Sequence, residues 1–569
     1  MKIRGLSGVA SAAMVHKPVA QTPIQLFVAS RLFAEQPHTK KSPARFQHPG
    51  QHQNNVAKRR GLVKSLFVTQ PNGPLGGTRV GPSRRASPEE SLESLTVAAS
   101  PEKALEYDGA YALSKQTTLE LARSIVVFKL CSIPLVVKNS RRLYDIASKV
   151  LGEKLPDFVV GKTFFSHFCG GVSTEELLPV IGKLRTNGIG AILDYAAEAD
   201  VAEGAAQGPP SDHSGLDAAC DHNAATIIAA VEASAATRTS VDDPTFAAVK
   251  VTGLGAPELL EKVTRIIDAF AAAHPSAATD ADILSSLTPA EGEAYALVLA
   301  RLEGIAAVAA ARGVMLLVDA EQTYMQRAID HLALGAMARH NTVRPVVFNT
   351  YQCYLVDTPA RVARDTARAD QEGWVFAGKM VRGAYMVQER ALAAKRGGAD
   401  PIHAGVEATH ACYDAVVASV IRHVAQGRSP GAGQDQQRAA RRAAAGIMVA
   451  SHNEESVRRA ADLLSSLGVP KHGAGVYFAQ LKGMCDNISY GLGADSYQVF
   501  KYVPYGPVRE VMPYLLRRAE ENADIMSNAS QEVALLSREL RRRLTPSFSL
   551  PSFGAPREFS RANGVAATA

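Results

Sequence analysis

A chain of 569 residues with 46% hydrophobic side chains has room for a large globular domain and appendages. Its net charge of +7 is uneven: residues 1–87 hold 14 Lys and Arg against Glu35 alone, and the remainder holds 48 basic and 54 acidic residues. The mildly acidic body gives no ground for nucleic-acid binding. Six scattered cysteines without a CxxC argue against a disulfide framework or a structural zinc, and the lack of eighteen consecutive uncharged apolar residues argues against an integral membrane protein.

In chain order, residues 1–87 have the Arg-, Ser- and Ala-rich, acid-poor composition of a transit peptide, running into a disordered linker. A merely basic tail is the competing reading. Residues 88–186 form a helical region, carried by the amphipathic spacing of "ALSKQTTLELARSIVVFKLCSIPLVV" and "SRRLYDIASKVLG". Over 187–530 eight short apolar runs recur, each ending in polar residues and followed by a helical pattern: "GIGAILDYAAE", "FAAVKVTGLG", "GVMLLVDAEQ", "RPVVFNTYQ", "FAGKMVRGAY", "GIMVASHNE", "GAGVYFAQLKGM" and "YQVFKYVPYG". Strands buried on both faces need such near-continuous runs, and eight strand–helix units predict an α/β fold of the (β/α)8 TIM-like barrel type. Segments near 198–222 and 426–445 break the rhythm and read as surface insertions without chemistry. Residues 531–569 read as a C-terminal helix and a disordered tail. In that helix "EVALLSRELRRRL" is either a basic amphipathic helix touching a membrane or a plain solvated one.

Barrel chemistry sits at strand C-terminal ends. Here those ends carry Asp194, Lys250, Asp319 with Glu321, Gln352, Lys379 with Arg382 and Tyr385, His452 with Asn453, Gln480, and Tyr502. Asp319, Glu321 and His452 could ligate a divalent ion, but Lys250 and Lys379 would repel it, so no metal is expected. The Glu407/His410 pair falls in a helical stretch away from any strand end. "VTGLGAP" lacks the third glycine of a dinucleotide fingerprint. In "YLLRRAEEN" Tyr514, Arg517, Arg518 and Glu521 stand at i, i+3, i+4 and i+7, which is either a solvated face or a fork for an anion. The whole set suits a large anionic cofactor and a carboxylate substrate; periodicity and spacing do not identify the cofactor.

"AVKVTGLG", "VDAEQTYMQ", "FNTYQ", "KMVRGAYMVQER", "VASHNEESV", "YFAQLKGMCDNISYGLG" and "KYVPYGPVREVMPYLLRRAEEN" together resemble proline dehydrogenase, the flavin-dependent proline oxidase of mitochondria and bacteria, over roughly residues 100–530. The resemblance implies a distorted barrel with FAD at the strand ends and L-proline between flavin and final helix. It implies that Arg517 and Arg518 clamp the carboxylate, that Tyr502, Tyr514 and Leu481 wall the ring, and that Lys250 lies beside the substrate with Asp319 anchoring it. Asp319, Ala320, Gln352, Lys379, Gly383, Ala384, Tyr385, Ser451, His452, Asn453, Arg518 and Glu521 fall on its flavin-facing motifs. It further implies hydride transfer giving 1-pyrroline-5-carboxylate, the first step of proline catabolism. Electrons would pass to a quinone, and the protein would sit at the matrix side of the inner mitochondrial membrane. Tyr502 favours proline over 4-hydroxyproline, because a phenol fills the space of a C4 hydroxyl. Lys379 departs from the arginine of some members and keeps the charge without the planar fork.

Overall fold

Eight parallel strands close on themselves in sequence order: β1 (Ile189–Tyr195), β2 (Phe246–Val249), β3 (Met315–Val318), β4 (Val347–Gln352), β5 (Ala377–Val381), β6 (Gly446–Ala450), β7 (Val476–Leu481) and β8 (Val499–Tyr505). Closure is made by β8 pairing with β1, from Ile189 opposite Val499 to Tyr195 opposite Tyr505. This computed structural model describes residues 109–196, 213–240, 242–274, 277–429, 435–524 and 526–545. The predicted leader, most of the 198–222 segment and the tail past 545 lie outside them. All eight predicted strands are present, and the barrel is the expected one. Every residue of β2 and β3 is buried, which is why their sequences carry no polar alternation.

Aromatic rings fill the N-terminal end of the barrel. Phe246 meets Phe500, Tyr477 and Phe348 edge-on, with centroids 4.8, 5.0 and 5.9 Å apart. Phe500 approaches β1 so closely that a Cβ on Gly190 would sit 2.3 Å from its ring. With that end plugged, open volume is left at the strand C-terminal ends.

Among the described residues, the helices before β1 belong to the same compact unit as the barrel. They include Thr118–Cys131, started by a reciprocal Thr117/Glu120 capping box, then Ser140–Leu151, Lys154–Val160 and Thr174–Arg185. Their apolar residues Val127, Cys131, Val137, Phe165 and Phe168 join Val511, Tyr514 and Leu515 of the Val508–Asp524 helix in one cluster. That bed fixes the last barrel helix across the open end.

Helices run into both segments expected as insertions. Residues 213–222 begin a regular helix, His213–Ala236, whose Cys220, Ala224, Ile227 and Val231 are buried at helical spacing. In the second segment Gln436–Ala444 is a helix tied to Asp370 through Arg438 and Arg442. The C-terminal helix, Met526–Leu544, is not simply solvated. Its Leu536 packs on Leu121 and Phe128, and Arg543 donates to the carbonyls of Leu113 and Gln116, each at 2.7 Å. Among the described residues one helix, Pro289–Arg312, is long and apolar enough to cross a membrane, but its Tyr295, Val298, Leu302 and Ile305 are buried in the core beside the barrel.

Candidate active site

The open end holds a cavity of about 570 Å³ whose wall draws on all eight strand ends and on the Val508–Asp524 helix. Every residue singled out above for substrate or cofactor lines it. Glu321, part of the sequence ring, does not. Its carboxylate turns aside to accept from the Thr252 amide at 3.1 Å and hydroxyl at 2.7 Å, and its carbonyl accepts from Gln352 Nε2 at 2.8 Å. Among the described residues no three His, Cys, Asp or Glu side chains are placed to share a metal ion.

Charge on the strand side is organised in pairs. Lys250 Nζ donates to both carboxylate oxygens of Asp194 at 3.0 Å. Asp319 accepts from Lys379 Nζ and, at 2.6 Å, from the Tyr502 hydroxyl. Burial alone would raise the Asp319 carboxyl, but Lys379 and Lys250, with those hydrogen bonds, hold it below the ordinary range. Tyr502 moves the other way, because burial and the two carboxylates push its phenol far up, so it remains a donor.

His452 is held neutral. Burial, then Lys501, Arg518 and Arg382, lower it to about 3, and its Nε2 accepts the Leu481 amide at 3.0 Å. In the neutral ring the proton therefore resides on Nδ1. Asn453 caps the next helix by accepting from the Ser456 amide at 2.8 Å, and Ser451 Oγ accepts the Asn453 amide at 3.0 Å. After β5, Gly383 has φ +134°, and a Cβ there would lie 2.4 Å from the Tyr354 ring, so only glycine permits this turn.

The opposite wall is the "YLLRRAEEN" face. It is not a solvated one, since Tyr514 is 3% and Arg518 6% exposed. Arg518 pairs with Glu521 and lies 5.1 Å from the Tyr514 ring centroid; Arg517 reaches across to the Tyr385 ring at 5.9 Å. Burial raises the Glu521 carboxyl against the pull of both arginines. Tyr514 Oη and Arg518 Nε are buried with no protein hydrogen-bond partner, two polar atoms turned to a cavity-lining position.

Two contributors escaped the sequence reading or were undervalued. His410 was set aside as remote from the strand ends, yet it lines the cavity from the first turn of the Val406–Arg428 helix. It accepts from Arg382 Nε at 3.1 Å. Arg382 also donates to Ser451 Oγ at 2.7 Å and Ser456 Oγ at 2.8 Å and stacks 4.3 Å over the Tyr413 ring. These acceptors are neutral, so its charge stays available to an anion. Five lysines and arginines line the cavity against three carboxylates. The arrangement can hold an anion against a protonated, donor-rich floor.

The proline dehydrogenase family profile matches residues 177–531, from the helix before β1 past the helix that roofs the cavity into the Met526–Leu544 helix. Proline dehydrogenase 1, mitochondrial, of Homo sapiens is 32% identical, over 79% of this chain and 92% of the human protein. Hydroxyproline dehydrogenase of Xenopus laevis is 33% identical, over 80% of this chain and 94% of its own length. A crystal structure of proline utilization A from Bdellovibrio bacteriovorus, inactivated by N-propargylglycine, superposes with a TM-score of 0.52 at 19% identity over 75% of this chain. This chain spans 40% of that larger protein, and the likeness is one of fold.

Proposed function

The chain belongs to the proline dehydrogenase family, and from that premise we propose that it oxidises L-proline to 1-pyrroline-5-carboxylate with FAD as the hydride acceptor. Membership makes it an oxidoreductase acting on proline in catabolism, and its relatives named mitochondrial support a mitochondrial protein. The carrying observation is that Tyr514, Arg517, Arg518 and Glu521, the first and third of them buried, line the same cavity as Lys250, Asp319 and Tyr502.

The donor set suits a flavin dinucleotide. Surplus positive charge favours a pyrophosphate, Arg382 keeps its charge uncompensated by a carboxylate, and the Gly383 turn lets backbone approach closely. Gln352, Lys379, Gly383, Ala384, Tyr385, Ser451, His452 and Asn453 would hold it, with Asp319, Ala320, Arg518 and Glu521 at its margin. Bound there, FAD would supply the two-electron acceptor that no side chain provides.

The chain's own residues bind and orient. Arg517 and Arg518 take the carboxylate, and Glu521 fixes the second arginine in position. Tyr502, Tyr514 and Leu481 wall the pyrrolidine ring and exclude water. Lys250 positions the substrate, held in turn by Asp194. Asp319 is a poor base, because its depressed carboxyl already accepts from Lys379 and Tyr502; its part is to hold Lys379 and Tyr502 in register. The lysine's positive charge stabilises electron-rich character developing beside it.

Hydroxyproline dehydrogenases match the chain as well as proline dehydrogenases do, so identity does not choose the substrate. Tyr502 supports proline, since its hydroxyl is held by Asp319 and a phenol there would take the space a C4 hydroxyl needs. Electrons then pass to a quinone, at the matrix side of the inner mitochondrial membrane. Purified protein should show a flavin spectrum and reduce a dye faster with proline than with 4-hydroxyproline. A colourless protein inactive with both would end this reading.

A further inference from the structure

Residues 140–160 fold as two short helices, Ser140–Leu151 and Lys154–Val160, turned at Gly152 with φ +74°. The first helix has no buried residue at all. Leu143, Ile146 and Val150, at i, i+3 and i+7, are 50%, 59% and 74% exposed. Leu155, Phe158 and Val159 repeat the pattern on the second helix at 49%, 61% and 52%. With Leu151, 60% exposed, seven large apolar side chains within seventeen residues are far from the scattered single exposures of an ordinary surface.

The polar side of the hairpin is already engaged. Tyr144 donates to Asp157, and Arg509 of the Val508–Asp524 helix pairs with Glu153 at 2.7 Å and Asp157 at 3.3 Å. Two of the hairpin's three acids, Glu153 and Asp157, are thereby paired with Arg509, leaving Asp145. Arg142, Lys149, Lys154 and Lys162 stay exposed beside the apolar stripes, with Lys162 Nζ 5.9 Å over the Phe158 ring. Apolar stripes edged by long cationic side chains match the boundary between acyl chains and acidic headgroups.

We propose that this hairpin docks the protein on an anionic phospholipid bilayer. A second copy would bring like charges together, and so would residues 1–87, with 14 basic residues and one acid. The acidic segment 88–108 is the remaining competitor, and the experiment separates it. Because Arg509 ties the hairpin to the helix roofing the cavity, docking would bring the active site beside the lipid. The inference draws on the proposed function only there, where the electron acceptor is lipid-soluble; lipid binding itself is independent of it.

The test uses the full chain with vesicles of phosphatidylcholine, with and without phosphatidylglycerol. Sedimentation with the anionic vesicles, weakened by salt, is expected. Ile146→Glu with Phe158→Glu should lower the partition by at least about tenfold while leaving circular dichroism and dye-linked turnover in solution unchanged. Arg142→Gln with Lys149→Gln should weaken binding to anionic vesicles only. An environment-sensitive fluorophore on Val150→Cys, corrected for labelling of the wild type, should emit as in water until anionic vesicles are added. Failure to sediment, or equal sedimentation by the Glu variant, overturns the proposal. Buried-type emission in buffer also overturns it, in favour of residues 88–108 if independent of protein concentration and of a second copy if not. A protein that binds vesicles but does not oxidise proline would refute the proposed function and leave the docking surface standing.

Discussion

Arg517 and Tyr502 both line the cavity, and the proposed function sets them at opposite ends of the substrate. Arg517→Met keeps the stem and removes the charged arm. Losing a charge-assisted hydrogen bond costs about 1.5–3 kcal/mol, so kcat/KM for proline should fall roughly ten- to hundredfold with flavin content unchanged. Lysine at that position should rescue only part, having charge without the fork. Wild-type kinetics in Arg517→Met would show that the arginine does not touch substrate. At the other wall, Tyr502→Ser opens the C4 side and frees Asp319 from its phenol. The ratio of kcat/KM for 4-hydroxyproline over proline should rise, and a ratio that stays put would remove the case for proline specificity. His452 offers a pH signature. Its folded value of about 3 lies below the unfolded value of about 6.5, so the unfolded chain takes up the proton first. Stability from this residue is complete above pH 6.5 and falls by about 1.4 kcal/mol per pH unit below it. Urea midpoints at pH 7 and pH 5 should therefore differ less in His452→Asn than in the wild type.

Elements were legible in proportion to how far burial constrained their sequence. Strands such as "MLLV" and "FAAV" are buried on both faces and announce themselves as apolar runs, and their polar successors Asp319 and Lys250 mark the cavity rim. What stayed hidden depends on contacts between distant segments. The Asp194–Lys250 pairing joins two strands, the His410–Arg382 bond joins a helix to a strand end, and neither has a local signature. The start of the His213–Ala236 helix was not legible inside the 198–222 segment because its first turns are Gly-, Ser- and Asp-rich and its large buried residues, Ile227 and Val231, come only later. The C-terminal helix shows the same limit, as a basic amphipathic pattern does not say what its apolar side meets. Here that side meets protein: Leu536 is buried against Leu121 and Phe128. Leu536→Ala should cost about 2–5 kcal/mol through lost contact and a residual cavity. Chemical denaturation would read it, and a change within about 0.5 kcal/mol would return this helix to solvent.

On the scale of the whole chain, charge and chemistry are separated along the sequence. Among the described residues, those lining the cavity fall between Ile192 and Asn522, and the family match covers 177–531, whereas the positive charge is concentrated in residues 1–87. Those first 87 residues account for +13, so the rest of the chain is −6. An acid-poor, basic segment of this composition has little apolar surface to bury and much to offer an import receptor. Every described residue of the cavity wall lies outside it. A chain beginning after residue 87 should therefore retain bound flavin and proline turnover within about twofold of the full chain, since it keeps every group that orients substrate. It should also lose uptake into isolated mitochondria and switch from cation- to anion-exchange retention at neutral pH. Flavin absorbance per protein, dye-linked proline oxidation and an import assay measure the three consequences separately. Loss of flavin on truncation would make the basic segment part of the binding domain, and import without it would move the targeting signal elsewhere.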